Sequence, residues 1–176
     1  MGEGVTLELV WDDERLGVAQ ELFLEFLDWA DQRIEREYGV RVDDSIHDVS
    51  LGEAHEFMPP SGRVYLASQA GQPAGVGCLK QLEPGMAEIK RVFVRPEFRG
   101  MGIARAIIEQ LIRDGRTEGY RTIRLETAQF MEAARGLYRS LGFRDIDPYE
   151  GRESPREIEP YVVFMELDLK LKPADP

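Results

Sequence analysis

Glu88-Ile89-Lys90-Arg91-Val92-Phe93-Val94-Arg95-Pro96-Glu97-Phe98-Arg99-Gly100-Met101-Gly102-Ile103-Ala104 is the most informative stretch of this 176-residue chain. A run rich in strand formers passes through Pro96 into a Gly-X-Gly turn, and a helical pattern opens at once. Glycines there let the backbone come close to a ligand with no Cβ in the way. The first N–H groups of the helix have no partner inside it, and its dipole is positive at that end. Together these features make a site for phosphate or pyrophosphate, to which Arg99 and Arg105 could add charge-assisted bonds. Neither common nucleotide motif accounts for it. Arg105 stands where the dinucleotide fingerprint needs a third glycine, and no Gly-Lys-Ser/Thr follows. On these residues alone, a glycine turn required only for tight packing is the alternative.

Before this stretch, residues 5–10 alternate apolar and polar types, which predicts a half-buried strand. Asp12 and Asp13 are N-cap types ahead of a long helical pattern. In it Leu16, Ala19, Phe23, Phe26, Leu27, Ala30 and Ile34 recur at spacings of three and four, and Gly39 ends it. Residues 43–58 are ambiguous: Ile46, Val49 and Leu51 indicate a short helix before Met58-Pro59-Pro60-Ser61-Gly62 stops it. Residues 63–68, 74–82 and 86–94 read as strands joined by short Gly/Pro links, hence consecutive antiparallel hairpins. After it come a helix over 100–115, a strand over 121–126, a helix over 131–141 and a strand over 142–146. Residues 148–160 carry three prolines and read as a loop, and 161–169 as a last strand before a frayed 170–176 tail. The order is that of one mixed α/β (α+β) domain over 1–176, with its core at 5–169 and no internal repeat or dividing linker.

A hydrophobic fraction of 43% with 31% charged residues supports a core and excludes a disordered or collagen-like chain. No stretch approaches the ~18 apolar residues of a membrane span. Residues 1–4 are neither basic nor apolar, so the expectation is a cytoplasmic protein with no secretory signal and no membrane partner. Cys78 is the single cysteine, which excludes an internal disulfide and a cysteine zinc cluster; with no visible base partner it reads as core packing. His47 and His55 lack a third ligand at a recognised spacing, so no metal site is expected and both read as surface or acceptor-pocket residues.

The net charge of −11 is unevenly placed. Residues 1–60 hold 16 Asp/Glu against 4 Lys/Arg, and residues 61–176 hold 17 against 18. Such a field disfavours nucleic acid, for which no basic stripe with interleaved aromatics is present, and favours cationic partners; solubility is the plain alternative.

A family resemblance rests on two segments. Arg99-x-x-Gly102-x-Ala104, preceded by the strand at 88–94 and by Val94-Arg95-Pro96-Glu97-Phe98, resembles the acyl-CoA signature of the GNAT superfamily of N-acyltransferases. A second landmark follows about thirty residues on, Ala134-x-x-Leu137-Tyr138-x-x-Leu141-Gly142-Phe143. The element order matches that fold from residue 5 to residue 169. The resemblance implies a mostly antiparallel sheet of about seven strands flanked by helices, with a splayed central strand pair beside a bulge. It implies that backbone N–H groups of Arg99, Gly100, Met101, Gly102, Ile103 and Ala104 hold the pyrophosphate of acetyl-CoA. Val92, Phe93 and Val94 would pair with the pantetheine arm, and an N–H near Val92 or Phe93 would polarise the thioester carbonyl. Met131 replaces an asparagine that many members use to contact pantetheine. Dimers are common in the family, so a homodimer is one expectation.

Acyl transfer from sulfur to an amine needs the amine deprotonated, the oxyanion stabilised and the departing thiolate protonated. The resemblance makes Tyr138 the general acid; otherwise it is a core tyrosine packed with Leu137 and Leu141. Glu88 is the candidate base: it lies four residues before Val92 on the same strand, so period-two alternation puts both side chains on one face. Otherwise it is a structural carboxylate paired with Lys90 or Arg91. Glu126 is the backup base, or an ordinary strand-end carboxylate. The expected activity is acetyl transfer from acetyl-CoA to a primary amine in a ternary complex. The acidic first third points to a cationic small molecule or peptide amine. A non-catalytic acyl-CoA sensor of the same fold is the rival, and a longer acyl chain is open.

Overall fold

A computed structural model describes residues 4–42, 54–150 and 154–170. Its strands are β1 (Val5–Leu9), β2 (Gly62–Gln69), β3 (Gln72–Glu83), β4 (Met86–Val94), β5 (Thr122–Ala128), β6 (Arg144–Ile146) and β7 (Val162–Asp168). Its helices are α1 (Asp13–Tyr38), α2 (Ile103–Thr117) and α3 (Glu132–Ser140). The strands form one sheet in the order β1-β2-β3-β4-β5-β7-β6, antiparallel throughout except for the parallel pair β4–β5. The expected α/β architecture and the run of antiparallel hairpins through β2, β3 and β4 are both present.

Each face of the sheet carries its own core. On one face α1 buries Leu16, Ala19, Leu22 and Phe23 against Val64, Val76, Cys78 and Phe93. Asp12 caps this helix by accepting the Arg15 N–H at 2.8 Å, and Gly39 closes it at φ 67°. On the other face α2 sets Ile103, Ile107, Ile108 and Leu111 on Leu79, Ile89, Ile123 and Leu125, and Tyr138 of α3 joins this core. The approach of α2 to β3 is close enough to require a glycine: a Cβ on Gly77 would meet Ile107 Cγ2 at 2.5 Å. Arg95 locks α1 to the end of β4 through two bonds to Glu25, at 2.9 and 2.6 Å, and one to the Pro73 carbonyl at 2.8 Å.

Two irregularities of β4 shape the molecule. First, β4 pairs with β5 only from Met86↔Thr122 to Ile89↔Leu125. Beyond that register β4 runs on to Val94 and β5 to Ala128 without pairing, so the central strands splay as expected. Second, Val76 pairs Phe93 while Cys78 pairs Lys90, which leaves one extra residue on β4. Arg91 takes up that residue at φ 54°, the signature of a bulge.

The bulge corrects the expectation that Glu88 and Val92 share a face. Ala87 and Ile89 belong to the α2 core, so Glu88 and Lys90 point to the α1 face. After the extra residue Val92 packs on the α2 core and Phe93 on the α1 core. Glu88 and Val92 therefore lie on opposite faces.

Smaller differences have local causes. The helix expected from residue 100 starts at Ile103, because Gly100 and Gly102 both sit at φ 80° and form a turn ahead of it. The last strand starts at Val162, after a short 3₁₀ turn over Glu159–Tyr161 that includes Pro160. His47, most of the ambiguous 43–58 segment and the 171–176 end of the tail lie outside the described residues; Ala54–Phe57 is a single 3₁₀ turn. Among the described residues no helix is long and apolar enough to cross a membrane.

Candidate active site

The splay opens a cleft of about 510 Å³ whose walls come from both faces of the sheet. From the α2–α3 side it is lined by Val92, Val94, Gly100, Gly102, Ile103, Ala104, Leu137 and Tyr138. From the α1 side Phe26, Trp29, Arg33 and Phe93 line it, and Phe130 closes the rim from the β5–α3 connection. Past Ile89 the edge of β4 no longer pairs with β5, so its main-chain groups there are available to a ligand.

At one end lies the glycine turn. The first α2 bond runs from Ala106 N–H to the Gly102 carbonyl at 3.0 Å, and the N–H groups of residues 100–105 have no backbone acceptor among the described residues. Nothing lies within 4 Å of where a Cβ would stand on Gly100 or Gly102. The result is an open cradle of amide donors at a helix N-terminus, suited to an anion of pyrophosphate size. Arg99 contributes its backbone position, but its own N–H bonds the Pro96 carbonyl at 3.3 Å. Its guanidinium turns back to the Val94 carbonyl at 3.1 Å and lies 5.1 Å from the Trp29 ring centre. Arg105 bonds Ser140 Oγ at 2.8 Å. Met101 is exposed beside the cradle.

Tyr138 is 6% exposed, its ring edge-on to Phe143 at 5.7 Å, and it lines the cleft from α3. Burial pushes its phenol well above the usual value of 10, so the group stays protonated at neutral pH. It is a core tyrosine that also faces the cleft.

Glu88 and Glu126 flank the apex of the splay on the α1 face, Glu88 just before pairing stops and Glu126 just after. Neither lines the open cleft. Glu88 is 1% exposed; its Oε1 accepts the Tyr149 hydroxyl at 2.7 Å and its Oε2 accepts Lys90 Nζ at 3.0 Å. Burial raises the Glu88 carboxyl above the usual 4.5, opposed by the Lys90 charge and the Tyr149 bond and reinforced by Glu126. Glu126 accepts the Ser154 hydroxyl and, at 3.3 Å, its N–H. The structure thus brings the two carboxylates together and holds Tyr138 on the opposite face. Cys78 is fully buried in the α1 core and His55 is exposed. Among the described residues no group of three or more His, Cys, Asp or Glu could hold a metal ion.

A family model described as the acetyltransferase (GNAT) family matches residues 35–143. The chain belongs to the GNAT acetyltransferase family. It is similar to the IAA acetyltransferase of Azospirillum brasilense, 33% identical over 111 residues, which is 62% of this chain and 70% of that protein. An N-acetyltransferase of Schizosaccharomyces pombe is 28% identical over 128 residues, 71% of this chain and 75% of the relative. Against an N-acetyltransferase of Dictyostelium discoideum the match is 35% over 85 residues, spanning only 38% of that longer protein. Among solved structures, a GNAT acetyltransferase of Staphylococcus aureus covers 93% of this chain and 99% of its own at TM-score 0.71 and 19% identity. An acetyltransferase of Salmonella typhimurium, solved with its cofactor acetyl-CoA, gives 0.65 at 20% identity over 99% and 98%. These structural likenesses show the GNAT fold, and family membership makes the chain an acyltransferase.

Sequence reasoning missed Tyr149, Trp29, Arg33 and Phe130. Trp29 follows Phe26 by three residues, a helical spacing that could have placed both on the cleft side of α1. Tyr149 gave no signal, because its contact with Glu88 spans 61 residues and starts from a proline-bounded loop.

Proposed function

We propose that this chain transfers the acetyl group of acetyl-CoA to a primary amine by direct attack in a ternary complex. One observation carries the reading: the cleft crosses the sheet between β4 and β5, with a protonated phenol on the α2–α3 side and buried carboxylates at its apex on the α1 side. Acetyl-CoA fits the open cradle at residues 100–104 and the unpaired edge of β4 at Val92, Phe93 and Val94. When bound there it supplies a thioester and a thiolate leaving group.

The chain's own residues then divide the work by face. Glu88, through water since it is buried, draws the proton from an ammonium arriving on the α1 side; Glu126 is its alternate. Main-chain N–H groups near Val92 and Phe93 face the developing oxyanion. Tyr138 donates its proton to the sulfur on the α3 side. No covalent relay through the chain is required, and Cys78 lies in the α1 core, outside the cleft lining. Residues 5–169 act as one catalytic domain in this account, with the buried thiol consistent with a cytoplasmic setting and the chain able to self-associate as a homodimer.

For the acceptor we favour a cationic amine. Asp13, Glu14, Glu21 and Asp28 give the outward side of α1 a negative field, which favours a positively charged acceptor. The test is calorimetric titration with acetyl-CoA followed by thiol release on an amine panel. Binding with faster kcat/KM on cationic amines is expected. Binding without release on any amine favours the sensor reading, a neutral or anionic amine taken best overturns the charge argument, and no binding overturns the function.

A further inference from the structure

The segment after β6 does more than connect. Two of its described residues touch the carboxylates at the splay: Tyr149 bonds Glu88 at 2.7 Å, and Ser154 bonds Glu126. Tyr149 is 7% exposed and is itself fixed from two sides. Phe164 of β7 meets its ring edge-on at 5.5 Å, and the Arg124 guanidinium lies 4.9 Å from its centre. Arg124 in turn bonds Glu166 at 3.0 Å, and Arg144 bonds the same carboxylate at 3.1 Å. A side chain packed this way has its hydroxyl aimed at one oxygen, while Lys90 holds the other at 3.0 Å. Such fixation is what a general base requires, since proton transfer depends on a set geometry.

We propose that Tyr149 is a positioning residue for the acyl-transfer base: its phenol holds the Glu88 carboxylate in place at the apex of the splay and favours its ionised form. The inference rests on the reading of Glu88 as base. The described groups facing Glu88 are Lys90 on its own strand, Lys80 opposite it on β3, Arg124 and Glu126 on β5, and Tyr149 itself. Of these, Lys90 and Tyr149 supply hydrogen bonds to Glu88, and both bonds lower the proton affinity that burial raises. Tyr149→Phe removes the hydroxyl and keeps the ring against Phe164 and Arg124.

The experiment is the pH profile of kcat/KM for the whole chain with acetyl-CoA and its best amine, measured for wild type, Tyr149→Phe and Glu88→Gln. A hydrogen bond to a charged group is worth about one pH unit or somewhat more, so the acidic limb in Tyr149→Phe moves up by about one unit with acetyl-CoA affinity unchanged. A merely structural role lowers the rate without moving the limb. If Glu88→Gln removes the limb and Tyr149→Phe overlays wild type, the inference is overturned and the base assignment stands. If Glu88→Gln keeps the wild-type rate and limb, the base assignment itself fails. A second readout needs no Tyr149 variant: a slowly exchanging phenolic proton in the wild-type NMR spectrum, absent in Glu88→Ala, which leaves no side-chain acceptor, is expected, and its absence from wild type overturns the inference.

Discussion

Gly102→Ala separates the cost of a strained turn from the cost of a blocked anion site. Gly102 caps α2 at φ 80°, and nothing lies within 4 Å of the added Cβ. The methyl therefore meets no protein atom, and the folding penalty is the left-handed backbone alone, about 1–2 kcal/mol. For a domain of this size that is about 2–8 °C in Tm. The methyl does enter the cleft, where Gly102 is a wall residue. If it displaces one phosphate oxygen from its amide donor, one hydrogen bond to a charged group is lost, about 1.5–3 kcal/mol or roughly 10–150-fold in Kd. The assay is calorimetry with CoA and, separately, with pantetheine, which has the arm but no pyrophosphate. CoA binding should weaken by that factor while pantetheine binding holds. A fall in Tm with unchanged CoA affinity, or an equal loss for both ligands, would refute the anion cradle.

Tyr138→Phe should lower kcat by about 10²–10⁴-fold with little change in acetyl-CoA affinity. Because burial holds the phenol protonated past pH 10, the loss should be the same at every pH from neutral to mildly alkaline, and an unchanged kcat would count against the acid role. Gly77→Ala should cost about 1–3 kcal/mol in denaturant unfolding, since its Cβ would overlap Ile107 at 2.5 Å. A neutral result would mean α2 is not seated as described. Glu88 has a raised carboxyl in the fold, so its contribution is fully present below the unfolded value near 4.5 and lost as pH rises through the folded one. The stability of wild type relative to Glu88→Gln should therefore decline with rising pH above 4.5; a rise would contradict the sign.

What the sequence made legible was local. The Asp12 cap, the Gly39 stop and the Pro96–Gly102 turn each follow from residues whose neighbours in space are their neighbours in sequence. The splay was reachable only through family resemblance, because a strand's last residues look alike whether paired or not. The bulge was likewise implied only by the resemblance, and no residue marks its position. Arg91 is not a glycine, yet it takes φ 54°, with its guanidinium 4.5 Å from the Phe57 ring centre. Regular alternation, carried through that point, put Glu88 on the face with Val92. The reversal matters to the chemistry: it turns the carboxylate to the α1 side while Val92 lines the slot from the other, and the two halves of the reaction gain separate faces. Tyr149 was hidden for a different reason. Its contact with Glu88 joins positions 61 residues apart, which no periodicity encodes.

The central claim is that the opening between β4 and β5 is the acyl-CoA slot. The most direct measurement is a ¹⁵N–¹H NMR titration of the whole chain with desulfo-CoA, an analogue that cannot react. The account predicts the largest amide shifts at Val92, Phe93 and Val94 and at residues 100–104, saturating together. Shifts confined to the outer strands β1 and β6, or none at saturating ligand, would contradict it.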